Sequence, residues 1–489
     1  MLEVLQAVFK ETFVTKSLAY ENRSERLPTR AFLGAMLVFL YTFVLDDRIL
    51  PWSDPVCPFM FQVISLSGIV FLGLLWQVAT HHPELIASNW LNGCAIACSL
   101  TGAFIAFESY PAAPSLYYLG SVLIDLGFEW ALVVTCLSLG TLGVKPVCLL
   151  AGVAAMGAYG LSLAVGLAPV QWAFWIYASL GPIAVGLGAP AAAAATKAMA
   201  AAEPLAEVSV TRPQVMPSIT NLLFISLVVL MAAFGYSLGF TAHAEGPLSL
   251  VVLAGFAVVW RLCTRRSPNL DLVYKCAGII VLFGLFVSVP GINEFDGLQA
   301  AALKAGSFLV YYLEIALFAG IASKSSSGGL ALVSLGNACS LLGILIGQEL
   351  HQAVSYLAGV NASLSYLLTV VVGCAFVAFI ILAQQGFSMM RAIADIEDAL
   401  EVLPASAKKP TIDLDERCGL LASACGLTRR EEEVLRLLVR GYSGARMEQE
   451  LVISKNTVKT HVRHVYAKLD CHSQQELIAK AEGRKLASP

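Results

Sequence analysis

The sequence predicts an all-α protein in two parts: a polytopic helical membrane bundle of about twelve spans in a six-plus-six arrangement, then a small soluble four-helix domain. Three observations carry this. The 489 residues are 57% hydrophobic and only 13% charged, with mean hydropathy +0.74, whereas a soluble chain is about 25% charged. Apolar runs of the length that crosses about 30 Å of hydrocarbon recur along most of the chain. After Gln385 the composition changes, and 13 of the 31 lysines and arginines fall in the last 73 residues. A soluble enzyme, a disordered chain and a secreted disulfide scaffold are all poor fits to such a composition.

Residues 1–30 read as a cytoplasmic leader. They are charged and lack an apolar core beside a small-residue cleavage site, so they are not a signal peptide. Leu2, Leu5, Val8, Phe9 and Phe13 could form a short amphipathic helix on the inner leaflet or belong to a loose leader. The membrane domain covers 31–387. Its expected spans lie near 31–47, 59–79, 86–107, 115–139, 146–167, 170–195, 219–241, 247–263, 273–290, 299–322, 328–349 and 363–387. The span at 115–139 is interrupted by acids and is the least secure. Residues 196–218 form the longest polar break and separate halves 31–195 and 219–387.

The basic residues set the orientation. With the N-terminus inside, Arg23, Arg26, Arg30, Lys145, Lys197, Arg261, Arg265, Arg266 and Lys324 fall in cytoplasmic segments. Only Arg48 falls opposite, together with Asp46, Asp47 and Asp54. Both termini are then cytoplasmic. Of 12 cysteines only Cys57 lies clearly outside, which implies no external disulfide. No metal-ligand spacing occurs, and neither a metal nor a cofactor is expected. Gly235-x-x-x-Gly239 and Gly343-x-x-x-Gly347 allow close helix approach, read as packing within the chain.

Ionisable residues inside a bilayer are costly and mark function by default. Here they are Asp125 and Glu129, one helical turn apart, and Lys304 and Glu314, with Tyr311 among the nearby aromatics Tyr117, Tyr118, Trp130 and Tyr312. They could line a cavity for an unknown small molecule, or form an interhelical salt bridge through Lys304. The six-plus-six layout resembles the major facilitator superfamily at the level of topology. That resemblance implies a central cavity lined by spans 1, 4, 7 and 10. The superfamily's Gly-, Asp- and Arg-rich loop motif between spans 2 and 3 is missing; the loop reads QVATHHPEL. Its absence weighs against transport more than against the fold.

Residues 388–416 form a connector. Met389, Ile393, Ile396, Leu400 and Leu403 are spaced as a seam of about two heptads, too short to separate a coiled coil from an amphipathic helix. Pro404 and Pro410 then open a flexible link. Residues 417–489 are the soluble domain. Thr428 with Glu431 fits a capping box, and Val434, Leu435, Leu438 and Val439 follow at helical spacing, stopped by Gly441. A short helix covers about 443–451. Ser454 caps a third, with Val458, Val462, Val465 and Leu469 on one face and Lys455, Asn456, Lys459, Thr460, Arg463 and Lys468 on the other. Ser473 with Glu476 would start a fourth. A short helix, a turn and a cationic helix make helix-turn-helix geometry, the second helix entering a major groove.

The string LTxRExEVLxLL…G…L-x-IS-x-x-TVK-x-H…KL resembles the LuxR/NarL helix-turn-helix family. Sigma-factor region four shares LTxRE and TVK but usually lacks a residue like His461 and the closing helix. The resemblance implies a transcription regulator binding double-stranded DNA through Ser454, Lys455, Asn456, Thr457, Lys459, Thr460, Arg463 and Lys468. It also implies a homodimer through the last helix, with Leu477, Ile478 and Ala481 on its apolar face. One departure is Arg446, Met447 and Glu448 in place of the usual Glu-Ile-Ala. The expected function is a membrane-integrated one-component regulator, with a secondary transporter carrying a regulatory tail as the alternative. No nucleophile–base constellation or phosphate-binding loop suggests an enzyme.

Overall fold

A computed structural model describes residues 26–82, 90–200, 222–238, 254–261, 269–287, 296–324, 329–358, 362–383, 418, 422–423, 425–439, 444–451, 454–469, 471 and 477. Among the described residues every regular element is helical. The chain divides into two compact units, Met1–Leu403 and Pro404–Pro489.

In the first unit, α1 (Arg26–Val44) runs through a π-helical turn (Leu45–Ile49) into Leu50–Ser53. It is followed by α2 (Met60–His81), α3 (Trp90–Ser109), α4 (Pro114–Gly140), α5 (Val144–Gly166) and α6 (Val170–Ala200). The second half contains α7 (Leu222–Leu238), α8 (residues 254–261), α9 (Leu270–Val287), α10 (Asp296–Lys324), α11 (Gly329–Ala358) and α12 (Ala362–Ala383). Helix is therefore present at each expected span. Among the described residues, eight helices are long and apolar enough to cross a membrane by length and composition. The leader up to residue 25, the centre of the polar break, the connector seam, Gly239, Gly441 and most of the last helix, including Ile478 and Ala481, lie outside the described residues.

The bundle shows its solvent in its surface. Leu167, Trp172, Phe104, Ile279 and Val258 are large, apolar and at least 60% exposed, a pattern that suits lipid better than water. Helix ends alternate as an up-and-down chain requires. Arg48 Nη2 donates to Ala168 O (2.8 Å) and Tyr110 Oη to Trp52 O (2.9 Å) at one end. The end of α4 at Gly140 meets Ala322 of α10 at the other.

Contacts within each half are closest at α3–α4, α4–α6, α1–α5 and α1–α6, and at α7–α11 and α9–α10. The halves meet through α2–α11, α4–α10 and α5–α10. The span that the acids made least secure, α4, is one unbroken helix, buried throughout from Gly127 to Gly140. Its acids face inward, where they interrupt hydropathy but not helix geometry.

Close approach of α7 and α11 depends on glycine. A Cβ at Gly347 would stand 2.1 Å from Ala232 O, and one at Gly235 2.2 Å from Ile344 O. Packing within the chain uses these positions, because backbone lies directly against backbone.

The second unit has its own core. Val434, Leu435, Leu438 and Val439 of α13 (Arg429–Val439), Met447 of α14 (Gly444–Leu451), and Val458, Val465 and Leu469 on or just beyond α15 (Lys455–Lys468) bury together with Cys418, Cys471 and Leu477.

Candidate ligand cavity and nucleic-acid interface

A cavity of about 80 Å³ opens between the halves of the first unit. One water needs roughly 10–15 Å³ of such space, so the cavity holds several. Its walls come from α1, α2 and α4 on one side and α7, α10 and α11 on the other. Its polar lining residues are Asp46, Ser65, Asp125, Glu129, Tyr311, Glu314, Asn337, Tyr41 and Thr42.

Helical spacing explains the membership. Asp125, Phe128, Glu129 and Leu132 recur every three or four residues and form one stripe of α4. Tyr311, Glu314 and Ile315 do the same on α10. Lys304 lies seven residues before Tyr311, about 10 Å farther along the same stripe.

Four of the five expected cavity residues, Asp125, Glu129, Tyr311 and Glu314, thus converge. Lys304 does not line the space. It forms an ion pair and hydrogen bond with Asp47, while Tyr311 Oη donates to Asp46 Oδ2 at 2.7 Å. The sequence reading places Asp46 and Asp47 on the side of the membrane opposite the termini and gives them no partner; in the structure both acids, in the π-helical turn, reach α10 and tie the two halves together. Of the other nearby aromatics, Trp130 Nε1 donates to Asn92 Oδ1 (2.8 Å), Tyr312 Oη to Cys148 O (3.0 Å), and Phe59 N donates to Tyr118 Oη (3.3 Å). Tyr117 packs with Trp52 and Tyr110. A rotation of about 100° per residue sends neighbours in sequence to different faces.

Sequence reasoning missed Asp46, Tyr41, Ser65 and Asn337. The last three are uncharged, and nothing local marks them. Asp125 Oδ2, Glu129 Oε2, Ser65 Oγ and both amide atoms of Asn337 are buried without a protein partner. Buried polar atoms are ordinarily paired with protein or water, and these have no protein partner.

In the second unit, the capping box forms as expected. Thr428 N donates to Glu431 Oε2 (2.8 Å), and Glu431 N to Thr428 Oγ1 (3.4 Å). Ser454 caps α15, accepting from Thr457 N at 3.3 Å. Val458 and Val465 point into the core, leaving Ser454, Asn456, Thr457, Lys459, Thr460, Arg463 and Lys468 exposed. Lys455 opens the helix. Thr460 Oγ1 donates back to Asn456 O (3.0 Å) and Ser454 Oγ shares a hydrogen bond with Thr457 Oγ1 (2.8 Å). Lys468 turns inward to the domain: its Nζ donates to Glu431 Oε2 (2.7 Å) and Gly426 O (2.9 Å). Met447 fills the core position and Glu448 is half-buried, so the unusual Arg446-Met447-Glu448 run keeps an apolar residue where packing needs one.

The description "Bacterial regulatory proteins, luxR family" (GerE) matches residues 426–481. This segment is a LuxR-family domain. The HTH-type transcriptional regulator MalT of Vibrio campbellii is 43% identical over 56 residues, covering 12% of this chain and 6% of that protein. MalT of Serratia proteamaculans is 41% identical over the same length and shares. The chain thus spans about 6% of the length of these curated relatives, and the likeness concerns the LuxR domain. For the whole chain, the human organic anion transporter MFSD10 aligns at 16% identity with TM-score 0.46, over 74% of this chain and 100% of that one. The E. coli fucose:proton symporter FucP aligns at 14% with TM-score 0.38, over 74% and 98%. Neither alignment is close enough to bear on function.

Within the LuxR domain, Glu431 joins three elements. The Lys468 ammonium, then the Thr428 N–H, hold its carboxyl down from the ordinary 4.5 to about 2, and His464 Nδ1 lies 3.4 Å away. A folded value below the unfolded one means that its stabilisation is complete above about pH 4.5 and lost as pH falls toward 2. Glu431→Gln should therefore cost about 1–3 kcal/mol at neutral pH and flatten the acid limb of stability. Urea midpoints of a Pro404–Pro489 fragment between pH 3 and 7 check this; parallel pH profiles for parent and variant would refute it.

Proposed function

We propose that the chain is a membrane-integrated one-component transcription regulator in a bacterial cytoplasmic membrane. The bundle crosses the membrane twelve times with both termini cytoplasmic and senses a small molecule in its cavity. The LuxR domain binds double-stranded DNA, as a homodimer when active. The observation that carries this reading is the presence on one chain of a LuxR domain and a membrane bundle whose cavity holds unpartnered buried polar atoms.

The cavity lies between two halves that contact each other through few helix pairs. A ligand touching both halves changes their relative packing only if it binds one arrangement more tightly. The juxtamembrane connector would pass that change to the LuxR domain as altered spacing or dimerisation. On DNA, Lys459 and Asn456 near the start of α15 would reach base edges, and Arg463 and Lys455 would neutralise phosphates.

Transcript profiling tests the reading. Cells expressing the full chain should differ at a defined set of promoters from cells expressing the chain truncated after Ala407. Glu129→Gln and Glu314→Gln should shift the dose–response of those promoters to the inducing compound. Identical profiles for full and truncated chains would overturn the regulator reading, and unchanged dose–response in both variants would overturn sensing through the cavity.

A further inference from the structure

The lining of the cavity says which chemistry it would accept. Four carboxylates, Asp46, Asp125, Glu129 and Glu314, reach the space, and among the described residues no lysine, arginine or histidine lines it. The nearest basic group on the same stripe, Lys304, is already engaged by Asp47. Asp125 and Glu129 are 5% and 3% exposed, yet each has an oxygen that meets no protein donor. Asn337, 1% exposed, leaves both amide atoms free in the same space. A buried carboxylate without a counter-charge is unfavourable by several kcal/mol, a penalty that a proton or an entering cation relieves and that an anion would increase.

The apolar lining narrows the cation. Phe39, Phe61, Phe128 and Tyr311 form an aromatic wall, while Tyr41 is stacked between Phe128 and Tyr177, ring centroids 3.6 and 4.4 Å away. Aromatic faces attract weakly hydrated organic cations. Among the described residues, no three acidic, histidine or cysteine side chains converge closely enough to hold a metal ion. The volume of about 80 Å³ corresponds to about six waters, hence to a ligand of similar size.

We propose that the cavity binds a compact organic ammonium ion, its charge between the carboxylates of α4 and α10 and its apolar body against the aromatic wall. The inference rests on the sensor reading above and deepens it. Because Asp125 and Glu129 belong to one half and Glu314 to the other, an ammonium held among them draws the halves together, which is the differential affinity that signalling requires.

The test uses the full chain in phosphatidylcholine nanodiscs and three probes of nearly equal shape: isobutylammonium chloride, isobutanol and sodium isobutyrate. Calorimetry should show saturable binding of isobutylammonium at one site per chain in the millimolar range, with no binding of the other two. Sodium chloride should not displace it. Glu129→Gln should weaken it at least tenfold without lowering the unliganded unfolding temperature; should that variant fail to fold, Glu314→Gln serves in its place with the same expected loss. Equal binding of isobutanol, displacement by sodium, an unaltered affinity in the folded variant, or no saturable binding of isobutylammonium at tens of millimolar would each overturn the proposal. DNA binding by the same nanodisc sample is read separately by fluorescence anisotropy. DNA binding without ammonium binding overturns the ligand class alone. Ammonium binding without DNA binding supports the ligand class and overturns the regulator reading.

Discussion

Gly347→Leu is expected to cost the membrane bundle about 3 kcal/mol or more, at or beyond the upper end of overpacking penalties. The atoms that a side chain would meet are backbone: Ala232 O at 2.1 Å and Tyr236 N at 2.6 Å from the Cβ position. A flexible side chain could rotate away, but a helix backbone must move as a body. The neighbouring contacts would move with it, since a Cβ at Gly343 would stand 2.5 Å from Val228 O and one at Gly235 2.2 Å from Ile344 O. In lipid, burial of apolar area supplies little of the drive for helix association, and close van der Waals packing supplies much of it. Separating α7 from α11 therefore removes most of what joins them, and Leu238 and Ile344 of these helices also wall the cavity. Gly73→Leu provides the control, because its Cβ position is open for 4 Å. Thermal unfolding in detergent should show a large loss for Gly347→Leu and almost none for Gly73→Leu; similar values for both would refute the packing argument.

Lys459→Ala is expected to weaken operator binding by about 1–3 kcal/mol, the worth of a base-edge contact. Lys459 is exposed on the flank of α15 beside the Val458, Val462 and Val465 face, one turn into the helix, where a recognition helix reaches bases. Its loss should be greatest on the cognate sequence and small on random DNA. Arg463→Ala should act differently, reducing affinity on all sequences alike and lowering the salt-dependence slope by about 0.9. Lys468, which bonds to Glu431 and Gly426 O, should affect the domain's stability more than its salt slope. Anisotropy titrations of the Pro404–Pro489 fragment at 50–200 mM salt separate these outcomes. Equal losses for Lys459→Ala on cognate and random DNA would remove its role in reading sequence.

Both parts of the fold could be read from local pattern, for a shared reason. The LuxR domain is short and its contacts follow helix periodicity: the capping box at Thr428 and Glu431, the cap at Ser454 and the buried Val458–Val465 face all formed where spacing put them. The membrane helices follow from bilayer thickness, which fixes how many apolar residues a crossing needs. Asp125 with Glu129, and Tyr311 with Glu314, could be placed on shared stripes for the same reason.

What periodicity cannot supply is the partner of each stripe. The role of Lys304 turned on a π-helical turn more than 250 residues earlier, which brings Asp47 to it and Asp46 to Tyr311. Asn337 and Ser65 are ordinary polar residues until α2 and α11 set them unpartnered beside two carboxylates. The amino-acid order alone determined that this is a helical membrane chain ending in a DNA reader, because hydropathy, capping and helical spacing act within a few residues. Only the tertiary packing decided which charges are paired and which face an acid-lined cavity, because a buried charge takes its meaning from whatever the far helices bring to it.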